Sequence, residues 1–159
     1  MSSADNNLSD YKSNTIPSGK DERFDIIVAD WNEEITHALM KGCVDCLVEH
    51  EVDPDDIRVI HVPGTFELPH AAARCIDSEP AAVICIGCVI TGETKHDEYI
   101  CSAVSHGIME LNIRHKVPVI FGVLTPRNKQ QALDRAGGVH GNKGVEAAVT
   151  ALQMAALPL

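Results

Sequence analysis

The chain has 159 residues and a formal net charge of −10, with 45% hydrophobic but only 4% aromatic residues. That length suits one domain with a sizeable core. So acidic a balance argues against nucleic acid or an anionic membrane as partner, although a local basic site for a small phosphate ester stays open. No apolar run reaches membrane-spanning length and no signal-like apolar segment opens the chain, so a cytoplasmic protein is expected.

Residues 1–22 are rich in Ser, Asn, Asp and Lys, with Pro17 and Gly19. They carry too little apolar surface to offset the entropy of ordering, which predicts a flexible tail ahead of a single domain over 23–159. The first strand is Phe24 to Ala29. Asp30-Trp31-Asn32 is a turn, and Asn32 or Asp30 is placed to cap a helix from Glu33 to about Glu51, whose Ile35, Leu39, Cys43, Cys46 and Leu47 recur at helical spacing. After the turn Asp53-Pro-Asp-Asp56, a second strand runs from Ile57 to Val62 and ends in Pro63-Gly64. The next helix starts near Thr65 and runs to about Ile76, with Pro69 tolerable in its first turn.

Ala81 to Ile90 is a continuous apolar run, as expected of a strand buried on both faces of a parallel sheet. It breaks at Thr91-Gly92. A helix then opens at Thr94 and runs to about His115, with Asp97 completing a capping-box-like pair. A fourth strand, Pro118 to Leu124, precedes a short helix around 128–136. Gly137 to Gly141 breaks the chain, and Asn142 caps a last helix reaching about Leu157. Alternating strands and helices imply right-handed crossovers and a flavodoxin-like α/β fold: three α/β/α layers around a four-stranded parallel sheet in the order 2-1-3-4. The last helix has one narrow polar stripe, Lys143, Glu146, Thr150 and Gln153, and is apolar elsewhere. It is expected to pack on its own sheet on one side and on a neighbouring subunit on the other.

The six cysteines include two C-x-x-C pairs, Cys43/Cys46 and Cys85/Cys88. Neither fits zinc: the first lies within a helix without a knuckle turn, and the second lies in a strand, where residues three apart face opposite ways. Neither sits at a helix N-terminus as a redox pair would. The cysteines read as small buried apolar residues, and no metal site is expected.

Ligands of open α/β folds bind outside the carboxyl ends of strands. There the first turn after Thr94 presents unpaired N–H groups suited to an anion, with His96 in the same turn as a proton carrier. Around that spot the sequence gathers Trp31, suited to stacking on a planar ring; Thr65, Phe66 and Glu67 at a helix start; and Val89, Ile90 and Glu93. Phe121 belongs to the fourth strand, and Arg135 near a helix end is either a favourable helix-terminal charge or a phosphate clamp. Walker, G-x-G-x-x-G and G-x-S-x-G motifs are missing, which argues against nucleotide cofactors and a serine nucleophile. A planar ring, a phosphate and one histidine suggest condensation or elimination without a bound cofactor.

Five motifs in order carry a resemblance: Trp31-Asn32; Val62-Pro-Gly-Thr-Phe-Glu-Leu-Pro69; Gly87-Cys-Val-Ile-Thr-Gly-Glu-Thr-Lys-His96; Phe121-Gly-Val-Leu-Thr125; and Gln131-Ala-Leu-Asp-Arg-Ala-Gly137 with Gly141-Asn-Lys-Gly-Val-Glu-Ala-Ala148. From about Phe24 to its end the chain resembles the lumazine synthases (6,7-dimethyl-8-ribityllumazine synthase), transferases of riboflavin biosynthesis. The resemblance implies condensation of 5-amino-6-(D-ribitylamino)uracil with 3,4-dihydroxy-2-butanone 4-phosphate. By position it implies that Trp31 stacks on the pyrimidine, that Thr65, Phe66, Glu67 and the backbone of Cys88, Val89 and Ile90 bind the uracil and its ribityl chain, and that Glu93, Thr94 and Arg135 hold the phosphate. Phe121 would close the ring pocket and His96 would move the protons. It further implies homopentamers with sites shared between subunits, and riboflavin synthase as a protein partner. The short link 137–141 favours the icosahedral, sixty-subunit shell that some members form. Two departures stand out: Asp97 where the family commonly has an aromatic residue, and Lys95 where it often has a small residue or Pro. The alternative is a noncatalytic flavin- or lumazine-binding or shell-forming relative.

Overall fold

A computed structural model of the chain describes residues 7, 9–12 and 15–158. Four strands, β1 (Phe24–Ala29), β2 (Ile57–Val62), β3 (Ala82–Cys88) and β4 (Val119–Leu124), form one parallel sheet in the order β2-β1-β3-β4. Helices α1 (Glu33–Glu49), α2 (Leu68–Ile76), α3 (His96–Arg114), α4 (Lys129–Leu133) and α5 (Lys143–Ala155) alternate with and follow them. This is the flavodoxin-like arrangement expected from the sequence. Among the described residues, no helix is long and apolar enough to cross a membrane.

The two central strands, β1 and β3, are buried at every position, because each is covered on both faces. Side chains alternate between the two layers as the strand period requires. Phe24, Ile26, Val28, Ile84 and Ile86 meet α1 and α5. Ile27, Ala29, Val83 and Cys85 meet α2 and α3. Cys88 falls in the first layer and Cys85 in the second, so the Cys85/Cys88 pair is split across the sheet.

Strand β2 is an edge, and its Arg58 reaches inward to Asp25, whose side chain is fully buried in the middle of β1. The guanidinium forks onto both carboxylate oxygens, with Nε–Oδ1 at 2.9 Å. That hydrogen bond to Asp25 raises the Arg58 pKa, and the fork supplies the planar pairing that a buried carboxylate requires.

Helices α1 and α5 pack on each other more extensively than any other pair of helices. A Cβ on Gly144 would lie 1.8 Å from the Leu39 carbonyl oxygen, so only glycine permits the approach. Asn142 caps α5 as expected, with Oδ1 accepting from Gly144 N–H at 2.8 Å, and its Nδ2 donates to the Ala38 carbonyl of α1 at 3.0 Å. The second apolar side of α5 is thus covered by α1 of the same chain. The all-round apolar pattern has an intramolecular cause and carries no argument for a neighbouring subunit.

Apolar surface is left bare elsewhere. Along the 19 residues of α3 only Val104 and Ile108 are buried, while Tyr99, Met109 and Ile113 are exposed, as is Phe121 on β4.

Three local expectations change. The short helix ends at Leu133, and Ala136–Gly138 (β5) pairs antiparallel with Gly141–Asn142 (β6) across the expected chain break. Gly137 (φ 112°) and Gly141 (φ 78°) supply the left-handed backbone this tight ladder needs. Helix α3 begins at His96 with Lys95 at its N-cap and no side-chain cap; the Thr94 hydroxyl reaches only the His96 N–H, at 3.4 Å, so no capping box forms with Asp97. At α1, neither Asp30 nor Asn32 caps with its side chain.

The expected tail over 1–22 falls partly outside the described residues. Of those described, Tyr11 and Ile16 pack against the layer formed by α1 and α5. The Tyr11 hydroxyl donates to Glu49 at 3.3 Å, and Gly19 N–H donates to the His50 carbonyl at 2.8 Å.

Candidate active site

The carboxyl ends of β1 and β3, the turn before α2 and the N-terminus of α3 enclose a cavity of ≈ 760 Å³. A space of this size is ample for a bicyclic or ribityl-bearing ligand. Parallel strands end on the same side of the sheet, which is why residues far apart in sequence meet here.

Trp31 leaves β1 with its ring 73% exposed at the rim. It is fixed by its backbone, because Trp31 N–H donates to the Pro63 carbonyl at 3.1 Å and Asp30 N–H to that of Val62 at 2.8 Å. Asn32, next in the wall, adopts a left-handed backbone (φ 64°). This turns its side chain away from the α1 N–H groups and across to β3, where Nδ2 donates to the Cys88 carbonyl at 2.9 Å. Glu33 and Glu34 in the first turn complement the uncapped positive end of α1 instead.

After β2, Thr65–Glu67 form a single 3-10 turn entered from extended Gly64, with Thr65 buried and Phe66 and Glu67 exposed toward the cavity. The opening N–H groups of such a turn have no partner within it. On β3 the Cys88 carbonyl is taken by Asn32, and Val89 N–H donates to the Leu124 carbonyl at 2.9 Å. Burial pushes the Cys88 thiol up to about 12, so it remains protonated and is no nucleophile. Thr94, His96, Asp97 and Ile100 complete the wall from α3. His96 is exposed to the cavity, and the carboxylates of Asp97 and Glu98 share its helical turn.

The sequence model of the 6,7-dimethyl-8-ribityllumazine synthase family matches residues 21–158. A 6,7-dimethyl-8-ribityllumazine synthase of Porphyromonas gingivalis is 57% identical over 158 residues, covering 99% of this chain and 98% of its own. That of Cytophaga hutchinsonii is 55% identical, covering 98% of each chain, and that of Flavobacterium johnsoniae is 49% identical, covering 98% of this chain and 82% of its own. The chain belongs to the 6,7-dimethyl-8-ribityllumazine synthase family.

Of the residues that a lumazine synthase site implies, Trp31, Thr65, Phe66, Glu67, Cys88, Val89, Ile90, Thr94 and His96 line the one cavity, with Glu93 exposed on the loop between Gly92 and Thr94. Phe121 and Arg135 do not line it. Phe121 lies in the middle of edge strand β4, in register with Cys85 and short of the strand's carboxyl end. Arg135 follows α4, its Nη1 donating to the Gln131 carbonyl at 3.1 Å. Sequence reasoning missed Asn32 as a cross-strand donor, Asp97 and Ile100 as wall residues, and Gly64 and Gly92 at the rim. In the sequence Asn32, like Asp30, stands where a helix cap belongs; only its left-handed backbone shows the other use.

Proposed function

We propose that this chain is a lumazine-forming transferase of riboflavin biosynthesis. It condenses 5-amino-6-(D-ribitylamino)uracil with 3,4-dihydroxy-2-butanone 4-phosphate and releases phosphate and water. The observation that carries this reading is the single cavity in which Trp31, the 65–67 turn, the 88–90 backbone and His96 meet, in a chain matched to that family nearly from end to end.

In this reading the pyrimidine stacks on Trp31. Its polar edge and ribityl chain take the N–H groups of the 65–67 turn, Glu67, and the backbone groups of Val89 and Ile90 not already bonded to Leu124. The primary amine adds to the ketone, water leaves to give the imine, phosphate is eliminated, and ring closure expels a second water. His96 moves the protons of these steps. Glu93, Thr94 and Arg135 hold the phosphate. Asp97 and Glu98 make the α3 N-terminus a poor anion site by itself, which is why a guanidinium is needed there. No cofactor or metal is required for this chemistry.

Because Phe121 and Arg135 stand outside the cavity of their own chain, they complete the site of an adjacent copy in a ring of five subunits. The bare apolar residues of α3 and β4 supply surface for such contacts. The short 137–141 link favours a sixty-subunit shell with riboflavin synthase as partner, in the cytoplasm.

Mixing the protein with both substrates, without metal or nucleotide, and following lumazine absorbance and fluorescence tests the activity. Lumazine binding without turnover would leave a noncatalytic binding relative. Sharing of the site is tested by reassembling His96→Ala subunits, slowed in kcat, with Arg135→Ala subunits, weakened in KM, in equal amounts and assaying at butanone phosphate well below that raised KM. About a quarter of head-to-tail interfaces then pair an intact His96 with an intact Arg135, and activity rises above that of either variant toward about a quarter of the wild type. Mixed rings whose activity is only the mean of the two parents would place each site within one chain.

A further inference from the structure

Outside the cavity, one cluster of side chains has no part in the chemistry above. Asp30 follows β1, His37 lies in the second turn of α1, and His61 is the penultimate residue of β2. His61 Nδ1 is 2.7 Å from Asp30 Oδ1, and His37 Nε2 is 3.5 Å from the same oxygen. The two imidazoles meet edge to face, with ring centroids 5.5 Å apart. The three donor atoms all lie within 4.8 Å of one another. Atoms bound tetrahedrally to one zinc ion at about 2.0–2.1 Å stand about 3.3 Å apart, so the observed separations bracket the bound geometry and small side-chain rotations reach it.

We propose that Asp30, His37 and His61 are a three-ligand site for a divalent transition-metal ion of zinc-like chemistry. Two imidazole nitrogens and one carboxylate oxygen are ligands that Zn²⁺ favours, and water takes the fourth position. The site is preorganised by backbone structure. The parallel register sets Val28 opposite His61, and the hydrogen bonds of Asp30 and Trp31 to Val62 and Pro63 fix the turn. A carboxylate is anionic at neutral pH, so the site offers one negative ligand beside two imidazoles. All three side chains are about half exposed, which leaves the ion an open path. The ion is a clip, not a participant in the condensation. It ties the β1–α1 turn to edge strand β2 one residue from Trp31, and the proposal stands whether or not the assigned activity does.

Chelator-treated, untagged full-length protein is titrated with Zn²⁺ by calorimetry, and with Cu²⁺ while following the fluorescence of Trp31, the only Trp in the chain. The expected result is one strongly bound Zn²⁺ per chain, and quenching of Trp31 saturating at the same stoichiometry. His37→Gln and His61→Gln should each weaken Zn²⁺ binding by at least about 10- to 100-fold, the loss seen when even an outer partner of a metal ligand is removed. Asp30→Asn, which preserves shape, should do the same and covers the case of an imidazole variant that fails to fold. Absence of stoichiometric binding overturns the proposal. Equal binding by the wild type and all folded variants also overturns it, since the ion is then held by other side chains and the three residues are only a hydrogen-bonded surface group.

Discussion

Replacing Asn32 separates two features that the structure joins in one residue: a left-handed backbone and a hydrogen bond across the sheet to the Cys88 carbonyl. Asn32→Gly keeps the backbone and loses the bond, a net cost of about 0.5–1.5 kcal/mol. Asn32→Ala loses the bond and also replaces asparagine, which tolerates the left-handed region, by a residue for which that region costs about 1–2 kcal/mol. The total for alanine is then about 1.5–3.5 kcal/mol, roughly 1 kcal/mol beyond glycine once the greater freedom of unfolded glycine is counted. Asn32→Asp tolerates the backbone but turns a donor into an anion facing a carbonyl oxygen, so it should be at least as damaging as glycine. Urea unfolding at matched protein concentration measures these differences. With a slope near 2 kcal/mol/M, 1 kcal/mol moves the midpoint by about 0.5 M. Equal midpoints for glycine and alanine would refute the backbone argument. An aspartate variant as stable as the wild type would refute the hydrogen bond.

His96→Ala should lower kcat by about 10- to 100-fold, near or below the usual range for one general acid–base group; steady-state kinetics across pH check this, and an unchanged kcat removes His96 from the reaction. Arg135→Ala should raise KM for the butanone phosphate by an amount worth about 1.5–3 kcal/mol and leave KM for the uracil nearly unchanged. Gly144→Ala should cost about 3 kcal/mol or more, because its Cβ would strike the Leu39 carbonyl of α1 and the helices must separate; thermal and urea unfolding report it. The thiols of Cys43, Cys46, Cys75, Cys85, Cys88 and Cys101 are all pushed up by burial. None should therefore react quickly with a disulfide reagent at pH 8 in the native protein, whereas all six should react after denaturation.

The sheet was legible in the sequence because its signals are local and redundant. Four apolar runs alternate with helical segments, and the crossover rules leave few ways to order them. The cavity was legible for the same reason, since parallel strands deliver their following loops to one end. What escaped depends on tertiary detail. Strands β5 and β6 span only three and two residues and leave no periodicity. The choice Asn32 makes between capping α1 and bridging to β3 turns on the sign of one φ angle. For α5, apolar residues most of the way round pointed to a neighbouring subunit as the second partner, because periodicity alone could not say that α1 of the same chain covers that side. Asp30, His37 and His61 are scattered in sequence and meet only through the β1–β2 register. Phe121 and Arg135 do not line the cavity, so their proposed part in a site rests chiefly on the family resemblance.

The placement of apolar residues separates what holds the fold from what the surface is for. A chain this poor in aromatics could bury every large ring in a core of aliphatic and small side chains. Only Phe24 is fully buried, whereas Trp31, Phe66, Tyr99 and Phe121 are exposed. Burying a large apolar side chain is worth about 1.5–3 kcal/mol, so leaving four rings in water forgoes a stabilisation comparable with the whole margin of a domain this size. Trp31 and Phe66 stand on the turns that follow β1 and β2, both on the wall of a cavity wide enough for a flat ligand. Phe121 and Tyr99 lie on β4 and α3, away from that wall. The first pair is covered when a ring enters the site. The second pair calls for a different partner, and in the proposed ring another copy of the chain covers it and brings Phe121 and Arg135 to a cavity they do not line in their own chain.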